Sequence, residues 1–128
     1  GMMKVCLEES IEGAKTRETF GKPLIQHQVI RHKLANMSSK IDALEALVNN
    51  ICWNMNNGEV PVAEISKAKF FATKELEYCS SEAMQIMGGA GYLRGNPVER
   101  IYREVKVMAI GGGSEEIMRD LAVRQMGY

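Results

Sequence analysis

The stretch that decides the fold is 26-QHQVIRHKLANMSSKIDALEALVNNICWNMNN-57. Ile30, Leu34, Met37, Ile41, Leu44, Val48, Ile51 and Met55 step through it three and four residues apart, the spacing of one face of an α-helix. The spacing predicts a helix over about Gln26–Asn57 with a core stripe about seven turns long. Asn57-Gly58 ends it with residues able to take positive φ. At about 1.5 Å per residue, a helix of this length is a rod of roughly 45 Å. A rod with one apolar face must bury that face against other helices.

The flanking sequence supplies them. Pro61 is suited to the first turn of a following helix. Ile65, Ala68, Ala72, Leu76, Cys79, Ala83 and Ile86 line the predicted inner face of that helix, which Gly88-Gly89 ends. A loop to Asn96 follows. Pro97 then opens a shorter helix to about Met108, with Val98, Ile101, Tyr102 and Val105 on one side. After Gly111–Gly113, Ser114 is a good N-cap, and Glu115 and Glu116 stand where a helix dipole favours negative charge. Ile117, Met118, Leu121 and Ala122 give this last helix an apolar face. Upstream, Met3, Leu7, Ile11 and Ala14 mark a helix over about Met2–Arg17, broken by Phe20-Gly21-Lys22-Pro23-Leu24. No N-cap signal precedes it, so we expect that it starts earlier in a longer parent chain, with Gly1-Met2-Met3 as a tag scar before a start codon.

Of the twelve glycines, none falls between Lys22 and Asn57 and none between Glu59 and Met87, as two long helices require. No segment shows sustained period-two alternation. The expected fold is all-α: an antiparallel, up-and-down helical bundle occupying residues 1–128 as one domain. So short a chain cannot cover such long rods completely, and leftover apolar faces favour self-association.

Composition narrows the function. The chain has 128 residues, 45% hydrophobic and 25% charged, as an ordinary globular domain does. Sixteen basic and sixteen acidic residues cancel, which argues against a nucleic-acid partner. No run approaches eighteen apolar residues, so no membrane span is expected. Cys6, Cys52 and Cys79 are odd in number and far apart, and read as thiols of a reducing compartment. His27 and His32 are five apart and no CxxC occurs, so no metal site is expected. Gly89-Ala90-Gly91 follows a helix, not a strand, which removes a Rossmann reading.

Three groupings remain: Arg17-Glu18-Thr19-Phe20-Gly21-Lys22-Pro23-Leu24 with Gln28, Gln85-Ile86-Met87-Gly88-Gly89-Ala90-Gly91-Tyr92, and Ile110-Gly111-Gly112-Gly113-Ser114-Glu115-Glu116-Ile117. Each puts glycine and polar groups at a helix junction. Backbone N–H groups at such places suit a pyrophosphate or a carbonyl oxygen, and arginine adds charge-assisted bonds. The plain alternative is turn chemistry, with glycines as caps, Arg17 solvated and Phe20 in the core.

In this order and spacing, the groupings resemble the C-terminal helical domain of acyl-CoA dehydrogenases. RETFGKPL is similar to that family's RxxFGxPL, QIMGGAGY to its QxxGGxGY, and NPVERIYREVKVMAIGGGSEEIMRDLAVR to its closing segment. The resemblance covers essentially the whole chain. It implies FAD as cofactor and removal of hydrogens from Cα and Cβ of an acyl-CoA, with electrons leaving to an electron-transfer flavoprotein. It implies a parent with an N-terminal helical domain and a middle β domain, both absent from these residues, and a dimer or tetramer. By the same resemblance, Arg17, Phe20 and Gln28 face the FAD of a neighbouring subunit. Gln85, Gly88 and Gly89 receive its ADP part, Ser114 and Glu116 lie near the flavin, and Gly112 and Gly113 face the acyl thioester.

One departure matters. Many family members carry the catalytic base, a glutamate, at the position of Gly112, and glycine cannot take a proton. Members that lack that glutamate carry the base further upstream than this chain extends. Glu115 and Glu116 read as dipole-complementing residues, so no catalytic residue is assigned. The expected function is therefore the FAD-contacting and oligomerisation domain of an acyl-CoA dehydrogenase, inactive by itself. A stand-alone helical oligomerisation module is the alternative, and nitroalkane or acyl-CoA oxidase chemistry on the same fold is a third reading. The expected location is the bacterial cytoplasm or the mitochondrial matrix.

Overall fold

A computed structural model describes all residues, Gly1–Tyr128. The chain runs α1 (Met2–Thr16), a minimal hairpin β1 (Glu18–Thr19) and β2 (Lys22–Pro23), a 3-10 turn (Leu24–Gln26), α2 (Gln28–Asn56), α3 (Val62–Met87), α4 (Gly89–Tyr92), α5 (Pro97–Ile110) and α6 (Glu115–Gln125). The all-α bundle is as expected. The hairpin and α4 are additions, both lying where the sequence reads as turn or loop.

Helix α3 is the axis and packs against α1, α2, α5 and α6. Its predicted inner face holds for Ala68, Leu76, Cys79, Ala83 and Ile86, while Ile65 is exposed. A second flank is buried as well, formed by the small residues Ala63, Ser66, Thr73 and Ser80. Their hydroxyls donate within the helix, Ser66 to the Val62 carbonyl at 2.7 Å and Ser80 to that of Glu77 at 3.1 Å. A buried hydroxyl satisfied in this way costs little, and its small volume lets a neighbouring helix approach closely.

The same preference for small residues corrects α1. Its buried positions are Met3, Cys6, Ser10 and Ala14, while Leu7 and Ile11 sit half-buried at the rim. Ser10 donates to the Cys6 carbonyl at 2.6 Å. Close packing of α1 on α3 selects Cys6 and Ser10 for the seam; bulk alone points one step round the helix.

The α2 stripe is buried in part. Ile30, Met37, Ile41 and Ile51 are inside, whereas Val48 and Met55 are exposed, together with Trp53 and Val60. Val107, Ile110 and Ile117 form a second exposed apolar group near the α5–α6 junction. These are the uncovered faces that the helix lengths imply.

Burial also sets the cysteine chemistry. It pushes the Cys6 thiol up to about 12 and that of Cys79 to about 11. Cys52 is exposed. Brief treatment of the native chain with iodoacetamide at pH 8 should therefore modify Cys52 alone, as read by peptide mass spectrometry. Both thiols keep their protons in the fold, while in the unfolded chain they ionise near pH 9. Stability is therefore fully present below pH 9 and falls as pH rises towards 11–12, which alkaline urea titrations will measure.

Candidate functional site

The first grouping forms the hairpin. Glu18 pairs with Pro23 and Thr19 with Lys22, and the Leu24 N–H donates to the Arg17 carbonyl at 2.8 Å. Phe20 and Gly21 make the turn with φ of 51° and 75°, the positive pair that a two-residue type I′ turn needs. Left-handed backbone costs a side-chain-bearing residue about 1–2 kcal/mol. The Phe20 side chain is 97% exposed, with its ring edge-on to His27 at 6.2 Å between centroids. This removes the plain alternative of Phe20 in the core: the hairpin turns it outward. His27 Nε2 hydrogen-bonds the Thr19 hydroxyl at 3.1 Å and ties the hairpin to the start of α2. Gln28, also exposed, is the first residue of that helix.

The second grouping meets the first. Arg17 Nη1 donates to the Met87 carbonyl at 3.3 Å, across 70 residues of sequence. Gly88 has φ 60° and ψ −138°, a conformation essentially reserved for glycine. A Cβ there would stand 2.6 Å from Arg17 Nη1. Gly91 is bare for another reason: its Cβ would lie 2.9 Å from Met87 Cβ and 3.3 Å from the Met84 backbone. Gln85, Gly88 and Gly89 line a shallow cavity of about 390 Å³ beside Tyr92 and Tyr102.

The third grouping caps the α5–α6 junction. The Gly111 N–H donates to the Val107 carbonyl at 2.7 Å, and Gly112 and Gly113 take φ of 70° and 105°. Ser114 is the N-cap of α6, its Oγ accepting from the Ile117 N–H at 3.4 Å. The Glu116 carboxylate is held below its ordinary range by its own backbone N–H first and the Ser114 hydroxyl second. Glu115 is buried and paired with Arg119 at 3.1 Å and Lys74 at 3.7 Å. The Glu116 carboxylate is stabilised in its ionised form, which weakens it as a base, and Glu115 is engaged in ion pairs through Oε2.

Lys69 is a residue that the sequence does not flag. Its Nζ donates to the Met108, Ala109 and Gly113 carbonyls. An ammonium has three protons, so all are used, and the cation sits at the negative end of the α5 dipole. No pattern in the sequence separates this lysine from its solvated neighbours, because its partners are backbone atoms 39 to 44 residues away. Lys69→Met should cost about 1 kcal/mol and speed amide exchange across Gly111–Ser114, as read by NMR, with little change at Gly88.

The structure thus joins the first two groupings and keeps the third apart. Met87 lies 18 residues beyond Lys69 on α3, or about 27 Å. One chain does not bring Arg17 and Gly112 to a single point.

The first two groupings fit the diphosphate of a dinucleotide. Arg17 spends one N–H on Met87 and keeps other donors free. Gly88 and Gly89 put no side chain over their backbone, and the space beside Gly89 is open. The fold and this surface define an all-α domain with glycine-bared helix junctions suited to a phosphate-bearing cofactor.

Comparison with known proteins makes the family specific. Residues 1–127 match the family described as acyl-CoA dehydrogenase, C-terminal domain. Acyl-CoA dehydrogenase AFT10-1 of Alternaria alternata is 39% identical over 97% of this chain and 31% of its own length. The caffeyl-CoA reductase–Etf complex subunit CarC of Acetobacterium woodii is 35% identical over 93% of this chain and 31% of its own. The crystal structure of a probable acyl-CoA dehydrogenase from Mycobacterium abscessus superposes with a TM-score of 0.94 at 39% identity, covering 98% of this chain and 34% of that one. The chain belongs to the acyl-CoA dehydrogenase family and corresponds to its C-terminal domain. It spans about a third of the length of the relatives it matches. Members of this family are FAD flavoproteins, and the relatives include bacterial proteins and a mitochondrial plant enzyme. No helix is long and apolar enough to cross a membrane.

Proposed function

We propose that this bundle supplies the FAD-contacting and oligomerisation surfaces of an FAD-dependent enzyme acting on the Cα–Cβ bond of an acyl-CoA. The observation that carries the reading is the Arg17–Met87 contact beside bare Gly88, which turns two separated motifs into one surface with free arginine donors. On this reading Arg17, Phe20 and Gln28 face the cofactor of a neighbouring subunit, and Gln85, Gly88 and Gly89 receive its ADP part. Ser114 and Glu116 lie beside the flavin, and Gly112 and Gly113 face the acyl thioester. When bound, FAD supplies the hydride acceptor. The separation of roughly 27 Å along α3 supports two half-sites serving different cofactors, as a dimer or tetramer would arrange them. Exposed Phe20, turned outward in left-handed backbone, has a purpose if a cofactor or second copy covers it.

Gly112 offers no proton acceptor, so the base comes from outside these residues, in a parent that also holds the N-terminal helical and middle β domains. Electrons leave to an electron-transfer flavoprotein, a partnership that the name of the Acetobacterium woodii relative also carries. Gly112 equally favours a second reading, an oligomerisation module without catalysis.

A graft separates the two. The 128 residues replace the corresponding third of the Mycobacterium abscessus relative, and the purified chimaera is assayed for flavin by absorbance. The enzyme-part reading expects bound FAD, reduced about tenfold or more in retention by Arg17→Ala. A folded, oligomeric and colourless chimaera supports the module instead. Flavin retention indifferent to Arg17→Ala removes the role given to that residue.

A further inference from the structure

Seven arginines occur in the chain. Arg17 and Arg31 donate to backbone carbonyls, and Arg103, Arg119 and Arg124 are in ion pairs with Glu99, Glu115 and Asp120. The remaining two, Arg94 and Arg100, have no hydrogen-bonding or ion-pair partner, and both line one cavity, with Arg103 as its third arginine. The cavity measures about 560 Å³ and, apart from Gly95 and Pro97, is lined by polar and charged residues. Its one carboxylate, Glu99, is committed to Arg103 at 3.0 Å. Three guanidinium groups against one carboxylate repel one another, in a chain whose net charge is zero. An anion relieves that repulsion, and planar arginine forks match phosphate oxygens.

The adjoining cavity, about 640 Å³, shares Arg94, Glu99 and Arg103 and is otherwise walled by Met84, Tyr92, Leu93 and Tyr102. Tyr92 is 74% exposed and Tyr102 47%. Each cavity is within the roughly 300–1,000 Å³ common for ligand pockets. Together they make a trough with an aromatic half and a cationic half. A ligand matching both carries a flat ring and a phosphate tail. We propose that this trough binds a nucleoside diphosphate, the base against Tyr92 and Tyr102 and the phosphates on Arg94 and Arg100. Tyr92 and Tyr102 also border the cavity of Gln85, Gly88 and Gly89, but Arg94 and Arg100, which carry the phosphates here, are not among the residues assigned to FAD.

The test is calorimetric titration of the 128-residue chain at low ionic strength with ADP, adenosine and inorganic pyrophosphate. ADP should bind at least tenfold more tightly than either part, because each half of the trough contributes. Arg94→Gln with Arg100→Gln should weaken ADP at least tenfold without moving the circular dichroism spectrum or Tm, both side chains being exposed and unpartnered. Tyr92→Ala should weaken ADP and leave pyrophosphate unchanged. ADP affinity retained by the double arginine variant overturns the proposal, as does adenosine binding as tightly as ADP, or no ADP binding at all. ADP affinity lost in Arg17→Ala but kept in the double variant overturns the trough and leaves the flavin reading standing. Competition identifies the source: displacement of ADP by FAD or by coenzyme A names the nucleotide-bearing cofactor, and displacement by neither leaves a free nucleotide as occupant.

Discussion

Gly88→Val is expected to destabilise the chain by about 2–4 kcal/mol, from backbone strain of about 1–3 kcal/mol and a lost hydrogen bond of about 1 kcal/mol. Gly88 combines φ 60° with ψ −138°, and a β-branched residue is a steric outlier there. Its Cβ would also stand 2.6 Å from Arg17 Nη1. That atom ends a flexible side chain, so the guanidinium swings away and the bond to Met87 breaks, while the strain stays. Urea unfolding should show a lower midpoint with an unchanged slope. Gly89→Ala is the control. Its φ is not positive and its Cβ would meet nothing within 4 Å, so replacing glycine in the first turn of α4 should be neutral or slightly stabilising. If Gly88→Val unfolds at the parent's midpoint, the junction is not the constraint described. In the grafted enzyme it should also release flavin, because it displaces Arg17.

Met37→Ala should cost about 2–5 kcal/mol. Met37 is fully buried in the cluster that joins α1, α2, α3 and α5, and is the largest of the side chains with essentially no exposure. Removing it forfeits the transfer energy of the thioether and leaves a cavity that three helices can close only in part. Met37→Leu conserves volume and should stay below about 1.5 kcal/mol. The pair separates packing from hydrophobicity, since both replacements are apolar. Equal losses would mean that volume at this site does not matter. Ala replacement of Val48, on the same α2 stripe but exposed, should fall within about 0.5 kcal/mol.

The contrast between Met37 and Val48 shows how much of the fold was legible. Both fit the 3-4 spacing that identifies α2, and periodicity is local, so the helix itself is readable. Which turns of the stripe are covered depends on where α1 and α3 end beside it, and no residue of α2 encodes that. The choice of Cys6 and Ser10 over Leu7 and Ile11 for the α1 seam has the same origin. Interhelical distance, a property of two elements at once, sets the volume allowed at a contact.

The candidate site divides in the same way. Glycine needs are local: the positive φ of Gly88, Gly112 and Gly113 and the capping by Ser114 follow from short-range geometry, so the three groupings stand out in one dimension. Their relations are long-range. Arg17 reaching Met87, Lys69 fixing the Gly113 carbonyl, and Arg94 and Arg100 left unpartnered beside Tyr92 and Tyr102 arise where helices cross. Phe20 shows the same division: the plain turn-chemistry alternative puts this aromatic in the core, and the two-residue turn points it outward.

The sequence by itself determined that this protein is an all-α bundle with glycine-marked junctions, because helical period, caps and turn residues act within a few positions of one another, and the motifs at those junctions resemble those of acyl-CoA dehydrogenases. The tertiary structure alone decided which faces are buried, that two junctions converge at the end of α3 while the third is held by Lys69, 18 residues earlier on that helix, and which arginines remain without partners. Those outcomes depend on the crossing of elements distant in the chain, where side-chain volume and backbone acceptors from several helices meet.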